Sequence, residues 1–418
     1  MGKIRRDIFV IGFALFSMFF GAGNVIFPPY LGLESGSQWF WGFLCYYLAD
    51  IGLALLALIA LLRSGHAEGI NPRIGRVPAT LLMGAIILCI GPMLGIPRTA
   101  ASTYEMAAVT LFPGVSPWLF SALFFLVIFL LCVRESAVVD IVGKVLTPVL
   151  LLGLLVMIVK GVMDPIGPVP ARPLVENVPA TGIQAGYQTM DVLAAAVFGI
   201  LLLKTAEEKG YKKEREKLRV VAGAGIVAGA ALFVVYLGLT YLGVTTSRRF
   251  DLSVDRTGLV VAIVEELLGP FGLGLFAVVV TLACITTAVA LVSASAGYFS
   301  ALSGGRVSYG TLAAAICVFS AVASRVGLEG LVAVAGPILD VVYPPTLTLA
   351  ILDLFNRKIK SYWVFRLAAL AALGTSILTT AGAYLGLSVP LLDALPLASL
   401  GFGWLLPAAL GGLIGCFL

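Results

Sequence analysis

Residues 8–33, IFVIGFALFSMFFGAGNVIFPPYLGL, form an apolar run long enough to cross a bilayer, interrupted by Gly21-Ala22-Gly23-Asn24 and then by Pro28-Pro29. A helix broken inside lipid frees backbone amides and carbonyls that hydrocarbon cannot satisfy. Such a break is tolerated only where it lines a cavity and a ligand can meet those groups. A cavity halfway through a membrane-spanning helix implies a transport protein.

The rest of the chain supports membrane embedding. It is 60% hydrophobic and 12% charged, with a mean hydropathy of +1.06, whereas a soluble domain carries about 25% charged residues. At about 20 residues per span, 418 residues allow roughly twelve helices. The apolar runs place them near 8–33, 39–62, 79–111, 117–133, 145–163, 180–203, 220–244, 271–302, 310–324, 328–352, 362–386 and 396–418, with a short extra helix at 258–268.

Placing the N-terminus inside puts twenty of the 27 basic residues on cytoplasmic segments, six outside and Arg98 within a span, as the positive-inside rule requires. The densest run, KTAEEKGYKKEREKLR at 204–219, is then an inter-span loop, and it lacks the aromatic interleaving of a nucleic-acid surface. The net charge of +5 is a topology signal. No cleavable signal peptide is expected, because the first apolar run is longer than an h-region and has no small-residue cleavage site after it. The expected location is the inner membrane of a prokaryote, with both termini cytoplasmic.

Enzyme chemistry finds little to work with. The single histidine, His66, lies in a loop, and the six cysteines fall in expected spans without a C-x-x-C pair, so neither a zinc site nor a disulfide framework is indicated. Gly223-Ala-Gly225-Ile-Val-Ala-Gly229 resembles part of a phosphate loop, but no strand precedes it, and a close-packed membrane helix face explains it better.

A second break is expected in span 6. There GYQTMD (186–191) lies about a dozen residues before Lys204, about 18 Å along a helix and a little over half the hydrocarbon thickness. Spans 1 and 6 lead two five-span sets, and an odd number per set inverts the second relative to the first. The expected divisions are 1–163 and 164–355 for the two repeats and 356–418 for accessory spans 11 and 12.

The segments FFGAGNVIFPPYLG (19–32), GPMLGIPRTA (91–100), IVGKVLTPVLLL (141–152), GYQTMDVLAAAVFG (186–199), LACITTAVALVSASAGYF (282–299) and PLASLGFGWLLPAALGGLIG (396–415) resemble, in order and along the whole chain, the BrnQ-type branched-chain amino acid carriers. These form the LIVCS family of sodium-coupled bacterial transporters. The resemblance implies an all-α LeuT-type fold with 5+5 inverted repeats, within the amino acid, polyamine and organocation superfamily. It also implies a symporter for leucine, isoleucine and valine working by alternating access. The alternatives are proton coupling, or another small amino acid such as alanine. A channel or membrane scaffold would lack an occluded site.

A zwitterionic substrate needs donors for its carboxylate, and the half-helix after Gly21-Ala22-Gly23 offers unpaired amides and a positive dipole end. Asn24 is expected to orient the carboxylate or cap that half-helix. Asp191 has three open roles: binding the substrate ammonium, holding a cation, or bonding the freed amides of its own helix. Tyr187 and Thr189 are expected in the same cavity, with apolar walls from Phe20, Tyr104, Met190, Phe198 and Ala283. By resemblance, sodium is held by the carbonyls of Ser17, Phe20 and Ala283 and the hydroxyls of Thr286 and Thr287. Adjacent threonines in a membrane helix otherwise bond back to the preceding turn. Arg98 and Glu105, seven residues apart on one face of span 3, are open to pairing elsewhere. Asp50 and Asp340 stand where the family pattern has apolar residues.

Overall fold

The computed structural model describes residues 2–64, 72–133, 137–386 and 390–418; His66 and Arg134 lie outside the described residues. Among the described residues the regular structure is helical throughout: α1 Gly2–Phe19, α2 Ala22–Ser35, α3 at 39–64, α4 Arg76–Leu111, α5 Pro117–Val133, α6 Ala137–Met163, α7 Val178–Thr189, α8 Asp191–Glu208, α9 Glu214–Thr245, α10 Arg256–Leu302, α11 Tyr309–Ala323, α12 Gly327–Leu354, α13 Tyr362–Leu385 and α14 Leu405–Gly415.

Both anticipated breaks are present. Between α1 and α2 the chain leaves the helix at Phe20 and Gly21, where Gly21 is extended (φ −104°, ψ −173°). Between α7 and α8 it turns through Met190, which is left-handed at φ 67°, ψ 14°. That conformation costs a β-carbon-bearing residue of order 1–3 kcal/mol and persists only where surrounding structure fixes it. Two details differ from the sequence reading. The second half-helix opens at Ala22, so Gly23 and Asn24 lie in its first turn, and Pro28-Pro29 stay inside α2 without interrupting it.

Two further interruptions shape the centre. In α4, Gly91 departs from helical geometry (φ −93°, ψ −122°) within a wide turn over Cys89–Met93 that contains Pro92. In α10, Gly269 (φ 67°) and Pro270 separate a short N-terminal helix from the span proper, in line with the helix expected at 258–268. The expected twelfth span is shorter than read. Only Leu405–Gly415 is α-helical, about 16 Å at 1.5 Å per residue, because left-handed Leu397 and Gly401 bracket a single 3-10 turn over Ala398–Leu400 and keep it apart from the last helix.

The helices sort into two packed groups. α1, α2, α3, α7, α8 and α9 contact one another, while α4, α5, α6, α10 and α11 form a second set against them, with α12 bridging and α13 packed on α14. The outer surface is apolar, as lipid requires. On α5, Leu119, Leu123, Leu126 and Leu130 are each more than half exposed along one face, with Phe124, Phe125 and Ile128 buried on the other. The Gly223–Gly229 segment is a helix face, with Gly223 against Ile8 and both Gly225 and Gly229 against Leu55.

Candidate substrate site

The two breaks open on one small cavity of about 50 Å³. Its walls include Gly21, Ala22, Gly23 and Asn24 from the first break, and Thr189, Met190, Asp191, Ala194 and Phe198 from the second. By the measure in which one water needs about 10–15 Å³, this is room for only a few waters. The Ala22 and Gly23 amides belong to the first turn of α2, which has no side-chain cap. Unpaired donors and a positive dipole end therefore face the cavity.

Arg98 answers the opposite end of the second break. Its guanidinium donates to the carbonyls of Gln188 and, at 3.2 Å, Thr189, the last residues of α7, where a cation also complements the helix dipole. Arg98 is 6% exposed and stacks 5.8 Å from the Phe27 ring centroid. It comes from α4, in the second packed group, and so links that group to α7. Glu105 does not pair with it. The Glu105 carboxylate accepts from the Thr257 hydroxyl and the Leu328 amide, both at 2.9 Å, tying α4 to the short first helix of α10 and to the start of α12.

A polar cluster lies behind the cavity wall. The Asn24 side-chain amide donates to Asp191 Oδ2 at 2.9 Å and to the Tyr236 hydroxyl, so Asn24 bridges the two breaks and does not cap its own helix. Asp50, from a wide turn over Leu48–Gly52 in α3, accepts from the Thr189 hydroxyl at 2.7 Å. The Asp50 and Asp191 carboxyls lie within hydrogen-bonding reach of each other. Asp50 is fully buried and Asp191 is 5% exposed.

Some expected residues lie elsewhere. Tyr104 is carried by a wide turn over Tyr104–Ala108 to pack at a tilt against Phe120 and donate to the Val115 carbonyl at 3.0 Å, away from the cavity. The Tyr187 ring turns from the break to stack on Tyr343 at 4.4 Å and meet Phe402 edge-on, with Asp340 nearby. Phe20 is enclosed between Phe16 and Tyr236. The sequence reading missed Ile90, Leu291 and Met18, which complete the apolar wall.

Of the residues expected around sodium, Thr287 lines the cavity beside Gly21. Ser17 lies in the last turns of α1, and Phe20 begins the break. The Thr286 hydroxyl donates to the Ala283 carbonyl at 2.8 Å, which is the back-bonded arrangement.

Paired half-helices meeting at mid-bundle around apolar walls and a buried acid define a transporter of LeuT-type fold. The fold is similar to that of the nucleobase-cation-symport-1 family transporter Mhp1 in a closed, bromovinylhydantoin-bound conformation (TM-score 0.63, 13% identity, 98% of this chain and 91% of that one). It is also similar to a Na+-coupled sialic acid symporter (TM-score 0.62, 14% identity, 98% and 89%). The chain belongs to the branched-chain amino acid transport protein family, which it matches over residues 4–418. It is 34% identical to the branched-chain amino acid permease BraB of Bacillus subtilis over 98% of this chain and 95% of that protein. It is 36% identical to the branched-chain amino acid transport system 2 carrier protein of Pseudomonas aeruginosa, over 97% and 94%. It is a multi-pass membrane transporter and not an enzyme.

Proposed function

We propose that this protein is a symporter that imports leucine, isoleucine and valine together with sodium. The observation that carries the reading is the convergence of both breaks on one cavity. Uncapped α2 amides stand on one side, Asp191 on another, and Ile90, Phe198 and Leu291 supply apolar surface. A branched aliphatic side chain has nothing to hydrogen-bond, and one methylene changes binding by about 1–3 kcal/mol, so the three substrates are accepted with modest preferences. The α2 amides take the carboxylate and Asp191 the ammonium. The cavity of about 50 Å³ must widen to admit the ligand.

Sodium as co-transported cargo fits the oxygen donors near Gly21. The Thr286 hydroxyl and Ala283 carbonyl, now bonded to each other, would exchange that bond for the ion, with Thr287 and the carbonyls of Ser17 and Phe20 completing its shell. Such a site bridges the two helix groups and favours one arrangement of the bundle. In this reading α1, α2, α7 and α8 move with their group against α4, α5, α10 and α11. The inverted repeats occupy 1–163 and 164–355, and 356–418 is accessory. The termini face the cytoplasm across an inner membrane.

The test is uptake of labelled leucine into proteoliposomes. An inward sodium gradient is expected to drive accumulation, and Thr287→Ala to reduce sodium affinity at least tenfold. Equal uptake with and without the gradient refutes sodium coupling, while a pH gradient in sodium-free buffer reports the proton-coupled alternative.

A further inference from the structure

The charges buried around the second break do not balance. Arg98 contributes one positive charge, and Asp50 and Asp191 together two negative ones, all three nine-tenths or more buried. The other titratable groups facing the acids are the Tyr46, Tyr236 and Tyr343 hydroxyls, from α3, α9 and α12. Neutral phenols do not change the count. An uncompensated charge at this depth is expensive.

The hydrogen-bond geometry locates the deficit. Asp50 Oδ2 and the equally buried Tyr46 hydroxyl lie beside each other without a well-formed hydrogen bond between them. The Thr189 hydroxyl lies 2.7 Å from Asp50 Oδ1 and 2.6 Å from the Gly186 carbonyl, and its single proton serves one acceptor at a time. Two carboxyls within hydrogen-bonding reach repel each other unless a proton lies between them.

We infer that Asp50 and Asp191 share one proton in the substrate-free protein, and that the ammonium group of the amino acid displaces it. This rests on the proposed reading that Asp191 meets the substrate ammonium. The proton neutralises the Arg98–Asp50–Asp191 set. When the ammonium reaches Asp191 from the cavity it brings the same positive charge, and the displaced proton leaves to solvent. Asp50 does not line the cavity; it acts through Asp191 as a positioning and proton-sharing residue. Because proton and ammonium compete, linkage makes substrate affinity rise with pH, up to tenfold per unit, across the range in which the pair binds its proton.

The experiment is calorimetric titration of purified protein with leucine, at constant sodium and pH, in buffers of different ionisation enthalpy. The expected result is release of close to one proton per leucine from wild type. Asp50→Asn, which retains one acid to balance Arg98, should release none and bind more weakly with little pH dependence. Buffer-independent heat from the wild type overturns the inference, as does an undiminished proton release from Asp50→Asn. If leucine gives no heat in any buffer, it is the substrate reading that fails. The infrared spectrum of ligand-free wild-type protein then still judges the pair: a buried protonated-carboxyl band that is lost at high pH supports it, and absence of the band overturns it. The infrared test needs only the wild type, so it stands whether or not the variant folds.

Discussion

Arg98→Ala is expected to abolish uptake and to destabilise the protein by about 3–5 kcal/mol, the loss typical of removing one partner from a buried ionic group. Two effects add. The Gln188 and Thr189 carbonyls lose their donors in a buried place where the α7 helix has ended, at about 1–3 kcal/mol for each group left unpaired. The acids Asp50 and Asp191 lose the cation that faces them. Arg98→Lys should recover only part of both, because a point ammonium cannot span two carbonyls as the planar guanidinium fork does. Thermal unfolding in detergent without substrate reads the stability, and leucine uptake reads the function. An Arg98→Ala protein with wild-type melting temperature and uptake would show that the α7 terminus is satisfied by other means.

The contrast between Arg98 and Asn24 shows how far sequence carries a site of this kind. The first break announces itself locally, since glycines flanking an alanine and followed by an asparagine are poor continuations of a hydrophobic helix. The second is marked by an acid at mid-membrane depth. What each polar residue touches is set by packing between segments far apart in the chain. Asn24 meets Asp191 and Tyr236, 167 and 212 positions away, and Thr189 reaches Asp50 across 139.

Local geometry explains the remaining differences. The Gly91–Pro92 interruption of α4 is legible in GPMLGIP, where a glycine-proline pair inside an apolar run is a break signal. It matters because it passes Gly91 so close to Ser295 that an added Cβ would sit 2.4 Å from its hydroxyl. Tyr104 and Tyr187 escape a reading based on ideal helical spacing, which anticipates neither a wide turn nor the stacking of Tyr343. The last span reads too long in the sequence because apolar composition says nothing of left-handed turns at Leu397 and Gly401.

Gly243→Leu is expected to leave little folded protein, and the reason connects packing to the site. A Cβ at Gly243 on α9 would lie 1.8 Å from the Pro29 carbonyl oxygen. Reciprocally, one at Gly32 on α2 would lie 2.0 Å from the Thr240 carbonyl oxygen. The two helices touch backbone to backbone through paired glycines, so no rotamer relieves the clash and α2 itself must move. Even Gly243→Ala should cost about 1–3 kcal/mol, the usual penalty for overpacking. Because α2 presents the Ala22 and Gly23 amides to the cavity, that shift should also weaken leucine binding. Gly310→Ala provides the control. It lies in α11 with nothing within 4 Å of an added Cβ, and a helical glycine replaced by alanine gains up to about 1 kcal/mol. Yield of monodisperse protein, melting temperature and leucine uptake should therefore fall for both Gly243 variants and hold for Gly310→Ala. Wild-type behaviour of Gly243→Leu would mean that α2 is free to slide along α9 without disturbing the site.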